Sequence, residues 1–219
     1  MTHFHEQVFG LRSELLQMGL YAEQAVAKSF DAFIKKDAET ARLVIDNDKN
    51  INAREVEIDN LGLKLLALDQ PMAKDLRIIV GCMGMATDLE RIGDEASNVA
   101  ENTILMSNLS PQLFSPLMDK LAFMVRDMFA KALIALKDDD AALATDVCRM
   151  DIAVNELYYD VVKRALDITS CDKTLVELVS RRIMAAKSIE RIGNHAANIA
   201  ETVIFILKGV NVKHRCMPF

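Results

Sequence analysis

The chain has 219 residues, 51% of them apolar, and its 26 basic and 32 acidic residues give a net charge of −6. This acidic balance, without a dense Lys/Arg cluster, argues against a protein that tracks a phosphate backbone, so nucleic acid is not an expected partner. Tryptophan is absent and only 8 glycines and 4 prolines interrupt the chain, which is typical of a helical protein.

Localisation is indicated by what the sequence lacks. No apolar run approaches the roughly 20 residues that a membrane span needs, and the first residues show no secretory signal. The four cysteines, at positions 82, 148, 171 and 216, have no C-x-x-C spacing and are interpreted as reduced, buried thiols. We expect a cytoplasmic protein that meets the membrane only through its partners.

Three long helices are predicted in the first half. Apolar residues recur every three or four positions from Phe4 to Ile34 and from Ala38 to Leu68, as on amphipathic helices. Asp69-Gln70-Pro71 ends the second helix, because proline cannot continue a helix. A third helix is predicted from Met72 to Met106, before a linker over Ser107 to Pro111.

The second half repeats the first. The sequence Glu90 to Asp94, E-R-I-G-D, returns 100 residues later as E-R-I-G-N, Glu190 to Asn194, and the earlier part of the repeat has an offset of 103. Asp172 replaces the proline turn as a helix cap, and Gly209 ends the last helix. The prediction is an all-α protein of two tandem three-helix bundles with six long helices: repeats at 1–107 and 111–210, then a short tail at 211–219.

An acidic stripe follows the third helix. At 100° per residue Glu90, Asp94 and Glu101 share one face, with no lysine among them, and like charges at this spacing repel. On the second helix Asp48 and Glu55 lie on one side, and antiparallel packing would bring them beside the first stripe. Oxygen-rich clusters of this kind bind Mg, Ca, Mn or iron. The alternatives are a solvated acidic face, or Arg91 and Arg191 as internal partners.

The second half holds a weaker version of the same pattern. It keeps Asp151, Glu190 and Glu201, whereas Asn194 stands in the place of Asp94 and Tyr158 in the place of Glu55. His195 lacks the Glu-x-x-His spacing of di-iron bundles and is interpreted as a surface or partly buried side chain. No catalytic motif is evident.

The duplicated bundle with E-R-I-G-D and E-R-I-G-N at matching places, and with D-K-N-I-N-x-x-E from Asp48 to Glu55, resembles the PhoU family. The resemblance extends from about Leu11 to Gly209. It implies a cytoplasmic regulator rather than an enzyme, one that restrains the phosphate-starvation response between a phosphate ABC transporter, through its ATPase subunit, and a phosphate-sensing histidine kinase. It also implies a homodimer.

The resemblance further implies metal clusters on E(D)-x-x-x-D motifs, with iron, zinc, magnesium or manganese as candidate ions. Carried onto this sequence, the motif falls on Glu90 and Asp94 and on Glu190 and Asn194. Asn194 keeps an oxygen donor but loses a charge, so the first half is expected to hold its cation more tightly. Two rival hypotheses are a carboxylate-bridged di-metal enzyme in a helical bundle and a helical adaptor that binds no metal.

Overall fold

The computed structural model describes residues 3–109 and 115–212, without the side chains of 170 and 171, and this part of the chain contains helices but no strand. The first repeat contributes α1 (His3–Lys35), α2 (Ala38–Asn47), α3 (Lys49–Asp69) and α4 (Ala73–Met106). The second contributes α5 (Pro116–Asp138), α6 (Ala141–Cys171), a 3-10 helix (Lys173–Leu175) and α7 (Val176–Lys208). The predicted all-α class is confirmed.

The second predicted helix is interrupted at Asp48. The prediction of one continuous helix from Ala38 to Leu68 was therefore wrong. The Asn47 side chain donates to the carbonyl of Leu43 at 2.6 Å, and the Asp48 N–H bonds the Ile45 carbonyl, three rather than four residues back. Such a hydrogen bond from a side chain competes with the backbone hydrogen bonds of the helix. In the second repeat α6 continues without a break, so six long helices become seven α-helices in the described chain.

Several helix ends follow the signals in the sequence. Asp37 caps α2 by accepting hydrogen bonds from the N–H groups of Glu39 and Thr40, and Asp172 accepts from the N–H of Thr174. Gly209 ends α7 in the left-handed conformation, with φ at 70°, and its N–H bonds the Phe205 carbonyl. The tail at 213–219 and the linker residues 110–114 lie outside the described residues.

Each repeat buries the apolar faces of its helices in a bundle core. Leu89, Ile92, Ala96 and Val99 form an apolar stripe along α4 and are each fully buried. Burying a side chain of the size of Leu or Ile contributes about 1.5–3 kcal/mol, so this stripe holds α4 in place. Burial of these apolar side chains also determines which face of α4 carries Glu90 and Asp94.

The two bundles meet along α4 and α7, which run antiparallel. The contacts define this direction, because Asp88 lies against His195 while Arg77, earlier in α4, reaches the carbonyl of Ile206, later in α7. Cys82 and Cys148 are buried as predicted, while the side chain of Cys171 and all of Cys216 lie outside the described part. None of the helices in the described ranges is long and apolar enough to cross a membrane.

Candidate metal centres

The first carboxylate cluster forms where the junction of α2 and α3 meets α4. Glu90 and Asp94 lie one turn apart on α4, and Asp48 and Glu55 from the neighbouring helices are close enough to raise the pKa of Glu90. Antiparallel packing therefore brings the two acidic stripes together, as the sequence predicted. The cluster joins four of the five first-half residues that the sequence pattern singled out.

Electrostatic strain accompanies this arrangement. Burial raises the pKa of Glu90 above its ordinary value, and the carboxylates of Asp94 and Glu55 raise it further, against a smaller opposite effect of Arg91. Burial also raises the pKa of Asp48, although the Asn52 amide donates to this carboxylate at 3.0 Å and opposes the shift. Bringing these charges together costs free energy that a bound cation would relieve.

The two carboxylate oxygens of Asp48 differ in their hydrogen bonding. Its Oδ1 is buried and accepts no hydrogen bond from the described residues, whereas Oδ2 accepts from Asn52. A Cβ at Gly93 would lie 3.0 Å from this Oδ1 and 2.9 Å from Cδ1 of Ile51. Glycine in the repeated pentapeptide thus permits the close approach of the α2–α3 junction to α4.

Glu101 does not share the position of the other four. It is exposed and lies seven residues beyond Asp94, roughly 10 Å further along the helix axis. Within the described ranges, no three Asp, Glu, His or Cys side chains are arranged to hold one metal ion. An ion at the first cluster would accordingly be held by one or two carboxylates and by waters, which is the usual mode of Mg²⁺ in proteins.

The second cluster gathers carboxylates from α6 and α7. Burial raises the pKa of Asp151, and the carboxylates of Glu190 and Glu201 raise it further, while the Asn155 amide opposes the shift. The Oδ1 atom of Asp151 is buried without a hydrogen-bond partner among the described residues, as at Asp48. Glu201 is only 6% exposed, unlike its exposed counterpart Glu101.

A lysine pairs with one carboxylate of the second cluster. Nζ of Lys187 lies 2.7 Å from Oε2 of Glu190 and 5.2 Å from the ring centroid of Tyr158, and Asn194 donates to Oε1 of Glu190 at 3.2 Å. The corresponding residue in the first repeat is Thr87. Sequence reasoning noted Asn194 and Tyr158 but missed Lys187, although its i, i+3 spacing from Glu190 was a visible signal.

The two arginines of the repeated pentapeptide have different partners. Arg91 lies 3.5 Å from its neighbour Glu90, whereas Nη1 of Arg191 lies 2.8 Å from Oε1 of Glu95 on α4. Glu95 is buried with 6% of its side chain exposed, so this ion pair joins the two bundles. The pairing with Glu95 was not predicted, because it connects the two repeats instead of lying within one.

A second polar link between the bundles involves His195, which was interpreted from the sequence as a surface or partly buried side chain. Nδ1 of His195 and Nδ2 of Asn198 lie 2.9 Å and 3.0 Å from Oδ1 of Asp88, and the His195 side chain is 19% exposed. His195 is therefore partly buried. The sequence feature that could have indicated this link is the seven-residue spacing of Asp88 and Glu95. It places both residues on one face of α4, different from the face of Glu90.

The donor set fits a hard divalent cation better than zinc. Carboxylate and amide oxygens suit Mg²⁺ and Mn²⁺, whereas zinc sites are built mainly from Cys and His, which the first cluster lacks. The first cluster has unbalanced negative charge and, among the described residues, a buried carboxylate oxygen without a hydrogen-bond partner, and both features fit a cation. The second cluster is already partly neutralised by Lys187.

The family and sequence comparisons agree with one another. The PhoU domain family matches residues 15–103 and 118–203. The chain is 36% identical over 221 residues to a "Phosphate-specific transport system accessory protein PhoU homolog" from Pseudomonas aeruginosa, covering 98% of this chain and 91% of that protein. It is 28% identical to the Escherichia coli K12 protein of that kind, covering 96% and 88%.

Solved structures show the same fold. A crystal structure of PhoU from Pseudomonas aeruginosa superposes with a TM-score of 0.92 at 35% identity, covering 95% of this chain and 100% of that one. A phosphate transport system regulatory protein from Streptococcus pneumoniae gives a TM-score of 0.89 at 25% identity, covering 96% and 100%. The similarity includes both bundles and the helices that carry the carboxylate clusters.

Proposed function

Because the chain belongs to the PhoU family, we propose that it is an accessory regulator of phosphate transport. The observation that carries the proposal is the match over nearly the whole length to relatives with that name, with both repeats included. The names of these relatives describe accessory or regulatory proteins, which favours a regulator over the rival hypothesis of a di-metal enzyme.

We infer a cytoplasmic negative regulator that restrains the phosphate-starvation response. Its partners in this proposal are the ATPase subunit of a phosphate ABC transporter and a phosphate-sensing histidine kinase, and it acts as a homodimer. Apolar side chains at seven-residue spacing on exposed helix faces support binding to other proteins. They are Val56 and Leu63 on α3 and Ile152, Tyr159 and Leu166 on α6.

A deletion strain tests the regulatory role. Loss of the gene should derepress phosphate-starvation genes in phosphate-rich medium, as measured by transcript levels, and the wild-type gene should restore repression. The purified protein should also retain the transporter's ATPase subunit in a pull-down. Normal repression in the deletion strain, with no related gene in the genome to substitute, would contradict the proposal.

We further propose that the carboxylate clusters bind divalent cations, with the first cluster binding more tightly than the second. The first has Asp48, Glu55, Glu90 and Asp94, with Arg91 as a counter-charge beside Glu90, whereas Lys187 already balances Glu190 in the second. Charge count strongly influences the affinity of oxygen-ligand sites. A metal-free adaptor is the alternative that this proposal must exclude by experiment.

Metal analysis of matched variants tests the cation sites. Asp94→Asn should lower metal content and remove most of the rise in melting temperature that the ion produces by mass action, while Glu101→Gln, outside the cluster, should leave both unchanged. Asn194→Asp should raise occupancy of the second cluster, and more so when combined with Lys187→Met. If a chelator does not shift the wild-type melt, and Asp94→Asn retains full metal content, the stripe is a solvated face.

A further inference from the structure

A cavity of about 410 Å³ opens at the end of the second bundle, away from both carboxylate clusters. It lies between the first turn of α5, the last part of α6 and the first part of α7, and most of its wall is apolar. Val161, Ile168, Val179 and Ile183 contribute to that wall. A volume of this size is within the range of roughly 300–1,000 Å³ that small-molecule sites occupy.

Two arginines are among the residues that line this mainly apolar cavity. Arg182 of α7 and Arg164 of α6 both line the cavity. Arg182 is partly buried, and this burial lowers its pKa below the ordinary value, whereas the nearby carboxylate of Asp119 raises it. The planar guanidinium of an arginine can donate two parallel N–H bonds to the oxygens of a phosphate or carboxylate.

The repeat provides an internal comparison for these residues. Cys82, fully within the core at 1% exposure, corresponds to Arg182, and Leu61 corresponds to Arg164. The first bundle therefore uses uncharged residues where the second uses two arginines. A core requirement shared by both bundles does not explain the charge, since the first bundle packs without it.

Packing at the same level also differs between the bundles. In the first, the Met83 side chain lies against Gly62, with its Sδ only 2.6 Å from where a Cβ of Gly62 would be. The corresponding pair in the second bundle is Ala165 and Ile183, both of which line the cavity. The shorter, branched isoleucine cannot extend over its neighbour as methionine does, which leaves room beside the arginines.

The first turn of α5 completes the cavity. Ser115, Pro116 and Leu117 line it, and the positive end of the α5 helix dipole is therefore directed to the same region as the two arginines. We propose that this cavity binds a small amphiphilic anion, whose phosphate or carboxylate head pairs with Arg182 and Arg164 and whose apolar part lies against the side chains of α6 and α7. This site is independent of the cation clusters and of the proposed regulatory role.

Calorimetric titration with four probes tests the ligand class. Octyl phosphate and octanoate carry both a head and an apolar part, and each should bind at least tenfold more tightly than octanol or inorganic phosphate. If octanol binds as tightly as octyl phosphate, the arginines contribute nothing to binding. If inorganic phosphate binds as tightly as octyl phosphate, the apolar wall contributes nothing. Either result, or the absence of octyl phosphate binding at millimolar concentration, overturns the proposal.

Variants locate the binding in the cavity. Arg182→Met should weaken octyl phosphate binding by about tenfold or more, because it removes a charge-assisted contact. Arg181→Met changes the neighbouring arginine, which does not line the cavity, and should have no effect. Asp119→Asn should tighten binding several-fold by removing a competing carboxylate, and this variant keeps the test decisive if Arg182→Met unfolds. Equal effects of the Arg181 and Arg182 variants, or no tightening in Asp119→Asn, would rule the site out.

Discussion

Replacing Arg191 by methionine tests whether the ion pair with Glu95 holds the two bundles together. The substitution preserves the length and apolar stem of the side chain while removing the guanidinium that lies 2.8 Å from Oε1 of Glu95. The Glu95 carboxylate then stays at 6% exposure and keeps a hydrogen bond from the amide of Asn98, 3.1 Å away. Buried charges that lose their partner are costly.

The structure sets the size of the expected effect. Hydrogen bonds to charged groups contribute about 1.5–3 kcal/mol, and the 50% exposure of the Arg191 side chain reduces the value toward the lower end, to roughly 1.5–2 kcal/mol. For a protein of this length, where 1 kcal/mol shifts the melting temperature by about 2–4 °C, the variant should melt roughly 3–8 °C lower. The double variant Glu95→Met/Arg191→Met should recover much of this loss, because no unpaired charge remains.

Arg91→Met is the matched control, since Arg91 is the corresponding residue of the first repeat. Its side chain is 57% exposed and lies 3.5 Å from the neighbouring Glu90, so its loss should cost at most about 0.5 kcal/mol. Thermal melts by circular dichroism, with chelator present throughout, measure all four proteins. Equal shifts for Arg91→Met and Arg191→Met, or a double variant no better than Arg191→Met alone, would refute the reasoning.

Three further outcomes follow from single side chains. Burial raises the pKa of Cys82 to about 12, so iodoacetamide at pH 8 should spare it in the native protein and alkylate it in urea, as read by peptide mass spectrometry; native alkylation would show that the site opens. Gly81→Ala should cost about 1 kcal/mol because its Cβ would lie 2.6 Å from Cδ1 of Ile206. Gly84→Ala, with nothing within 4 Å, should stabilise α4 by up to about 1 kcal/mol, and melts that rank the two variants the other way would contradict the packing described. The Thr40 hydroxyl and N–H lower the pKa of Asp37, so Asp37→Ala should melt below wild type at neutral pH. This difference in melting temperature should disappear as the pH falls below 3.8, the ordinary pKa of the carboxyl group, and through its lower pKa in the native protein. A difference that does not depend on pH would exclude a charged Asp37 cap.

The sequence predicted the helices well because their signals are local. Apolar periodicity defined the faces of α1 and α4, and Asp172 and Gly209 marked helix ends by chemistry that needs no tertiary context. The interruption at Asp48 was not predictable in this way. It depends on the Asn47 amide taking the Leu43 carbonyl, a choice between two local hydrogen bonds of similar strength.

The candidate site was likewise predictable from the sequence only in part. Helical spacing correctly grouped Glu90 with Asp94, and antiparallel packing brought Asp48 and Glu55 beside them. The same spacing overextended the cluster to Glu101, because a shared helix face says nothing about distance along the axis. Residues that act between repeats, such as Glu95, show within one repeat only a shared helix face with Asp88, and identifying their partners required the packed structure.

The polar pairs between α4 and α7 also determine how the two bundles are aligned. A slip of one helical turn would move α4 along α7 by roughly 5.4 Å. Such a slip would separate Glu95 from Arg191 and Asp88 from His195, leaving carboxylates in the interface without partners. The buried charges thus favour the observed register of α4 on α7, as a single buried polar residue does in a coiled coil.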